Sequence, residues 1–501
     1  MIASPAKPMD LHVLLEGMDL VLPSLVVTDI TTNSRNAVRG GLFLACAGLQ
    51  HHGLDFLDDA LQAGVKAVAW EPASGVCVPA LPGGVTGIEI SGLRSKLGVI
   101  ADRFFRSPSG SLAVTGITGT NGKTTTAFLV TEALNALSHR AVYMGTLGYG
   151  LPGELRPSAL TTPGCITVHR RLREMADAGA KQVVAEVSSH ALVQQRVDGV
   201  RFKVAALTNV SRDHLDYHGS MQRYAEAKAR LFIGTEIRTA VINVGDQYGV
   251  KLADQLNSGT DLISVALINT ASDSPRARLI GRLTGTRAAG LGLQLSGDFG
   301  DGLLESPLWG RFNAENLAMA TGILLALGIS LQDAIHALAR SAAPPGRMER
   351  IQSQGVQPTV IVDFAHTPDA LGKALEAVKD HSRGQVWCVF GCGGDRDRGK
   401  RRSMGAVASS LADHAIVTDD NPRSEDPQQI IADILAGFSN HDDIQIVRDR
   451  KKAIDIAIRS ASTDDVVLIA GKGHESLQLT GDQQRAFSDA DVARSSLGGT
   501  E

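Results

Sequence analysis

The chain has 501 residues, 43% apolar and 20% charged, and a formal net charge of −4. That length exceeds a single domain and the apolar share suffices for several packed cores, so roughly two to four domains are expected. The charge balance gives no case for a nucleic-acid or anionic-membrane surface, and no uncharged apolar run of about 18 residues offers a transmembrane helix.

The first residues lack the basic stretch and apolar core of a signal peptide. The five cysteines are scattered, with no CxxC pair. Reduced, partly buried thiols in a cytoplasmic protein are expected, and a zinc site would need more ligands at close spacing.

In chain order, residues 1–108 carry short apolar runs (65–70 and 87–90) that read as a small α/β domain. It ends near Ser107-Pro108-Ser109-Gly110. Residues 109–342 alternate strands (112–115, 141–144, Gln182–Glu186, 204–208, 240–243) with helices (167–178, 221–232, 314–327). Such alternation predicts a mostly parallel sheet covered on both faces. Residues 247–308 turn polar and glycine-rich and read as a β-rich insertion or meander. The turn at 343–346 opens a third block, 343–501, with strands at 359–362, Val386–Phe390, His414–Val417 and 466–469. It is Rossmann-like in pattern but lacks a complete G-x-G-x-x-G. The expected fold class is therefore α/β, with a small N-terminal domain, a central phosphate-loop domain and a C-terminal Rossmann-like domain.

The run Gly116-Ile117-Thr118-Gly119-Thr120-Asn121-Gly122-Lys123-Thr124-Thr125-Thr126 sits between a strand and an apolar-periodic helix from 127 to 137. Glycines let backbone N–H groups close on phosphate oxygens, a helix N-terminus adds positive potential, and Lys123 adds a full charge. Thr124 can offer its hydroxyl to Mg²⁺. The strict motif has a glycine where Ile117 stands; here it comes one residue earlier, at Gly116.

Further donors follow successive strands. Glu186 closes one strand, and a carboxylate there points into the crevice where ligands bind, beside the phosphate loop. The run from Thr208 to Gly219, with Asp213, His214 and Asp216, follows the next. Composition alone makes Lys228, on the predicted helix 221–232, an ordinary solvated lysine. In the third block, charged runs follow four strands: 363–369, 391–397, 418–423 and 471–475. Together they make one polar rim suited to an amino acid, with arginines for carboxylate and acids for ammonium.

These motifs resemble the Mur ligase family across all three blocks. That family's phosphate loop has the same displaced glycine. The runs 186–190, 213–219, 420–423 and 471–475 resemble those of its members that build the cell-wall precursor. The resemblance implies a ligase that phosphorylates the free D-glutamyl carboxylate of UDP-N-acetylmuramoyl-L-alanyl-D-glutamate with ATP. The acyl phosphate then takes up the amine of meso-2,6-diaminopimelate in peptidoglycan precursor synthesis, a step serving cell shape and division.

The resemblance also distributes roles. Gly119, Thr120, Asn121, Gly122, Lys123, Thr124 and Thr125 would hold the phosphates, with Asn313, Asn316, Arg347 and Asp363 near ATP. A guanidinium reaching the γ-phosphate, the part given to Arg347, is a recurrent device. Thr124, Glu186, His214 and Lys228 would hold Mg²⁺, Lys228 as a CO₂-derived carbamate (N6-carboxylysine). The catalytic set is Lys123, Glu186, His214, Lys228 and Arg347. Thr32, Ser34, Leu49, Gln50 and His51 match uridine-diphosphate contacts. Thr161, Thr162, Ser188, Gln194 and Arg196 match muramoyl-dipeptide contacts. Arg396, Asp420, Asn421, Pro422, Arg423, Gly471 and Glu475 would bind diaminopimelate, Arg423 clasping its distal carboxylate. Leu160 and Leu49 stand where relatives carry a polar amide and a histidine. A monomer with no nucleic-acid or membrane partner is expected. Another Mur-type ligase, or a folylpolyglutamate synthetase, shares the loop and the acyl-phosphate logic. A regulatory nucleotide switch is the alternative of another class, but the chain has no [NT]-K-x-D guanine-reading segment.

Overall fold

The computed structural model describes residues 7–48, 51–77, 80–268, 277–351, 357–440 and 444–498. Leu49 and Gln50 lie outside the described residues. The chain divides into two compact units, Met1–Lys123 with Leu134–Ile263, and Thr124–Ala133 with Ser264–Glu501.

The first unit opens with a four-stranded parallel sheet in the order Ile30–Thr31, Leu42–Ala45, Ala67–Trp70, Thr86–Glu89. The helix Leu93–Phe104 buries Leu93, Ile100, Ala101 and Phe104 in the core beneath it. The unit's larger sheet portion runs Thr239–Asn243, Val204–Leu207, Ala113–Thr118, Gln182–Glu186, Ala141–Gly145, Gly148–Gly150. All neighbours pair parallel except the last, an antiparallel edge strand. The inner strands are almost wholly buried, as a sheet covered on both faces requires.

Register sets the site. Ile117 pairs with Glu186, and Leu207 pairs with Thr118. The phosphate loop, the Glu186 carboxylate and the 208–214 loop therefore leave three adjacent strands at one level. Ligands bind at such carboxyl edges of parallel sheets.

In the second unit, Leu279–Arg287, Gly290–Gly297 and Gly302–Ser306 form an antiparallel meander, with a register shift between Leu283 and Gly285. The expected β-rich stretch is therefore real from 261 on. Its beginning differs, because Gln247–Ala253 is a helix. The Asp246 side chain accepts from the Tyr248 and Gly249 N–H groups at 2.8 and 3.2 Å and caps it. The last sheet runs Glu349–Ile351, Thr359–Asp363, Val466–Ala470, Val386–Phe390, His414–Val417, Ile444–Ile446, parallel except for its first strand. Its four central strands end where the four charged runs begin, which makes the rim a real feature.

All five cysteines are free. Among the described residues no helix is long and apolar enough to cross a membrane.

Candidate active site

The phosphate loop is held by the loop that follows the neighbouring strand. Thr120 N–H donates to the Asn209 carbonyl (2.8 Å) and Asn121 N–H to Asn209 Oδ1 (3.0 Å). The Thr208 hydroxyl donates to the Asn121 carbonyl at 2.6 Å. Ser211 N–H donates to Thr120 Oγ1 at 3.0 Å, and Tyr224 OH lies 3.1 Å from that oxygen. Gly119 has φ +149°, and a Cβ there would collide with Thr208 Oγ1. Only glycine allows this approach. Lys123 begins the helix Lys123–Ala136, and its Nζ donates to the Gly119 and Thr120 carbonyls, each at 2.9 Å.

Lys228 is 2% exposed. The helix Met221–Ile233 starts at Ser220, whose hydroxyl accepts from Arg223 N–H, and buries Tyr224, Ala227, Lys228, Leu231 and Phe232. That spacing puts Lys228 on the apolar face, one turn after Tyr224. Its Nζ donates to the Gly119 carbonyl at 2.7 Å and lies 4.3 Å from the centre of the Tyr224 ring. Burial holds this amine well below the ordinary lysine range, and the charge of Lys123 pushes the same way.

Glu186, 1% exposed, accepts from Thr146 N–H (2.9 Å), the Thr146 hydroxyl (3.2 Å) and the Tyr143 hydroxyl. The Thr146 hydroxyl lies 3.0 Å from that of Thr161, and the Thr162 hydroxyl donates to the Glu186 carbonyl at 2.8 Å. Ser188 N–H donates to Thr162 Oγ1 (3.1 Å), while the Ser188 hydroxyl caps the helix Ser189–Val193. Arg196 donates to the Thr162 carbonyl (2.8 Å) and forks onto Gln194 Oε1 at 3.0 and 2.6 Å. The five residues that the resemblance groups, Thr161, Thr162, Ser188, Gln194 and Arg196, thus form one network around Glu186.

His214 has φ +50° and precedes the helix Leu215–His218. Its ring centre lies 4.9 Å from that of His190. Burial lowers the His190 pKa, and His214 adds to that. Among the described residues no three His, Cys, Asp or Glu side chains stand together as a metal cage. Glu186 and hydroxyl oxygens are hard donors, and Mg²⁺ commonly keeps waters and substrate phosphates as its other ligands, so the donor set fits that ion. A carbamate on Lys228 would add carboxylate oxygens.

A cavity of about 550 Å³ is lined by Asp29, Thr31, Thr32, Asn33, Asn36 and Arg170, among others. Ser34 is buried beside it, its hydroxyl 3.4 Å from Asp59 Oδ2. His51 is exposed, 3.7 Å from the Asp55 carboxylate.

In the second unit, Asn313 and Asn316 are buried on the helix Arg311–Ala326. Asn313 donates to the Trp309 carbonyl (2.7 Å) and Asn316 to Asn313 Oδ1 (2.9 Å). The Arg347 guanidinium lies 4.7 Å from the Phe364 ring centre. Asp363 accepts from Met348 N–H (2.7 Å) and Ala365 N–H (2.8 Å); burial raises its pKa, and Arg347 opposes this. A Cβ on Gly346 would collide with His474 N, so the Arg347 and Gly471–Glu475 segments pack directly on one another.

The rim is organised by buried pairs the sequence did not single out. Arg401, fully buried, joins Glu425 and Asp433 at 2.9 Å each. Glu425 in turn accepts from Asp395 N–H (2.6 Å), and Arg423 donates to the Gly394 carbonyl (2.8 Å). A Cβ on Gly393 would press on the Arg423 guanidinium and come within 3.9 Å of the Arg396 side chain, and Gly394 N–H donates to the Asn421 carbonyl beside Pro422. Gly471 has φ +118° and lies against Asp420, whose pKa burial raises while Arg450 and Lys472 lower it. Tyr143 and Thr146, which hold the Glu186 carboxylate, were also missed. Neither left a sequence signal, whereas Asn209 lies in the 208–219 run and Tyr224 stands four residues before Lys228.

Matches to known proteins follow these same segments. "Mur ligase family, catalytic domain" matches residues 26–105, "Mur ligase middle domain" 117–324, and "Mur ligase, glutamate ligase domain" 346–473. A Xylella fastidiosa protein named UDP-N-acetylmuramoyl-L-alanyl-D-glutamate--2,6-diaminopimelate ligase is 45% identical over 94% of each chain. A protein of the same name from Alkalilimnicola ehrlichii is 44% identical over 96% of this chain and 98% of its own. A solved structure bearing that name superposes with a TM-score of 0.71 at 33% identity, covering 98% of this chain and 99% of its own. MurF from Acinetobacter baumannii, 18% identical with a TM-score of 0.64, shares the fold.

Proposed function

The chain belongs to the Mur ligase family, and from that premise we propose that it is an ATP-dependent ligase. It adds meso-2,6-diaminopimelate to the D-glutamyl residue of UDP-N-acetylmuramoyl-L-alanyl-D-glutamate in peptidoglycan precursor synthesis. The observation that carries this reading is the phosphate loop pinned at the carboxyl edge of the sheet, with Lys123, Lys228 and Glu186 around that edge.

A carboxylate is a poor electrophile. Transfer of the γ-phosphoryl group of ATP to it releases ADP and gives an acyl phosphate with a good leaving group. The diaminopimelate amine attacks this carbonyl, gives up a proton, and phosphate departs as the amide forms. The protein supplies positioning and charge complementarity. Lys123 faces the phosphates at the loop. When bound, Mg²⁺ offsets phosphate charge; Thr124, Glu186, His214 and carbamylated Lys228 are its assigned ligands. A lysine kept as a neutral amine can add to CO₂ and lose one proton, giving a carbamate. Asn313, Asn316, Arg347 and Asp363 are assigned to the ATP side, with Arg347 at the γ-phosphate.

The remaining assignments follow the networks above. Thr32, Ser34 and His51 take the nucleotide-sugar. Thr161, Thr162, Ser188, Gln194 and Arg196 take the muramoyl-dipeptide. Arg396, Asp420, Asn421, Pro422, Arg423, Gly471 and Glu475 take diaminopimelate. Three domains, at 1–108, 109–342 and 343–501, a monomeric state and a cytoplasmic setting complete the proposal. The matching boundaries near 105–117 and 324–346 support the domain division. An amino-acid panel with the muramoyl-dipeptide acceptor tests the reading. Meso-diaminopimelate should be used and lysine poorly, and preferential use of lysine would overturn the amino-acid assignment.

A further inference from the structure

Lys472 is fully buried, a costly place for an ammonium unless its donors are satisfied. Its Nζ donates to Asn421 Oδ1 and to Glu475 Oε2, each at 3.0 Å. Asn421 Nδ2 donates to the same Glu475 oxygen at 2.9 Å, so the three side chains close a ring. Leu479 N–H donates to Asn421 Oδ1 at 3.0 Å, which fixes the amide orientation. Only one oxygen of Glu475 is committed to this ring. Its side chain is 36% exposed, and among the described residues its Oε1 accepts no hydrogen bond.

Charge adds direction. Arg450 pairs with Asp489 at 2.7 Å beneath the same loop and donates to the Ala470 carbonyl, while Asp420 lies against Gly471. Lys472 and Arg450 thus face three carboxylates: Asp420, Glu475 and Asp489. The formal balance is one negative charge, and Glu475 is the most exposed of the three carboxylates. An arriving ammonium neutralises the cluster.

We propose that Lys472 is a positioning residue of the amino-acid subsite: with Asn421 it holds one oxygen of Glu475 and leaves the other aimed at the ammonium of the incoming amino acid. This rests on the reading of Glu475 as part of the diaminopimelate site. Lys472 touches no reactant. It acts through Glu475, so its loss should weaken amino-acid binding and spare the nucleotide.

The test compares wild type, Lys472→Met, Glu475→Gln and the double variant, with KM measured separately for meso-diaminopimelate and ATP. Lys472→Met should raise the diaminopimelate KM about 30-fold or more and leave the ATP KM within about twofold. The double variant should be no worse than Glu475→Gln alone, because both changes remove one function. Should Lys472→Met not fold, Lys472→Gln keeps a donor without the charge and carries the same expectations. An unchanged diaminopimelate KM, a parallel rise in both KM values, or independent multiplication of the two single effects would overturn the inference. Wild-type protein that makes no product from diaminopimelate would instead overturn the proposed function.

Discussion

The Nζ of Lys228 donates a 2.7 Å hydrogen bond to the carbonyl oxygen of Gly119, so a buried amine touches the phosphate loop itself. Its depressed pKa favours the neutral, CO₂-reactive form. We expect ¹³CO₂ to give a carbamate carbon signal that Lys228→Met abolishes. Lys228→Ala should lose activity by about 10²–10³-fold, with partial recovery on adding acetate. A bare amine together with an active, acetate-indifferent Lys228→Ala enzyme would contradict the assignment.

The same amine has a pH signature. Between its lowered folded pKa and its unfolded value of about 10.4, the unfolded chain holds a proton that the folded chain has lost. Stability contributed by this group therefore rises with pH across that window. In CO₂-free buffer, denaturant midpoints of wild type should climb with pH relative to Lys228→Met. Parallel curves would contradict the prediction.

Gly119→Ala introduces a Cβ into Thr208 Oγ1 at a backbone angle that L-residues rarely adopt. Strain of about 1–3 kcal/mol falls on the loop, so ATP should bind about tenfold or more weakly. Gly83→Ala, with nothing within 4 Å of the new carbon, should leave ATP binding unchanged. Comparable titrations for both variants would argue against a tightly held loop.

Arg423 has φ +52°, so its backbone favours glycine, while its side chain is the proposed clasp for the distal carboxylate. Arg423→Ala should raise the diaminopimelate KM about 30-fold or more and leave ATP largely unaffected. Arg423→Gly should lose the same binding yet be about 0.5–1 kcal/mol more stable than Arg423→Ala. Equal loss of ATP and diaminopimelate binding would count against this assignment.

Arg450 and Asp489 form a fully buried pair at 2.7 Å. Asp489→Ala strands a cation and should cost about 3–5 kcal/mol in chemical denaturation. A shift of only a few tenths would mean the pair is not what holds the rim.

Local signals made much of this legible. The strand, the glycine loop and the helix from Lys123 follow from apolar runs and from glycines whose φ values, +149° at Gly119 and +82° at Gly122, L side chains rarely adopt. Glu186 and the four rim loops were visible because strand ends in parallel sheets place their successors together. The burial of Lys228 was not visible from composition; the family resemblance implied only a carbamate there, and the helix register from Tyr224 to Phe232 explains the burial. The short helix Gln247–Ala253 was missed because one Asp cap defines it within a polar stretch. Networks between distant segments left no periodic trace. Thr120 meets Ser211 across 91 residues, Arg401 meets Glu425 across 24, and Arg450 meets Asp489 across 39. Such pairs are set by topology, which decides which strand ends become neighbours.

In the proposed reaction, phosphoryl transfer at the 119–125 loop activates a carboxylate for amide formation. The most direct measurement follows ADP release and product mass with ATP, the UDP-muramoyl-dipeptide and meso-diaminopimelate together, and with each omitted in turn. Equal amounts of ADP and UDP-muramoyl-tripeptide should form only when all three are present, and neither from Lys123→Ala. ADP release with no tripeptide, or no ADP from the complete mixture, would contradict it.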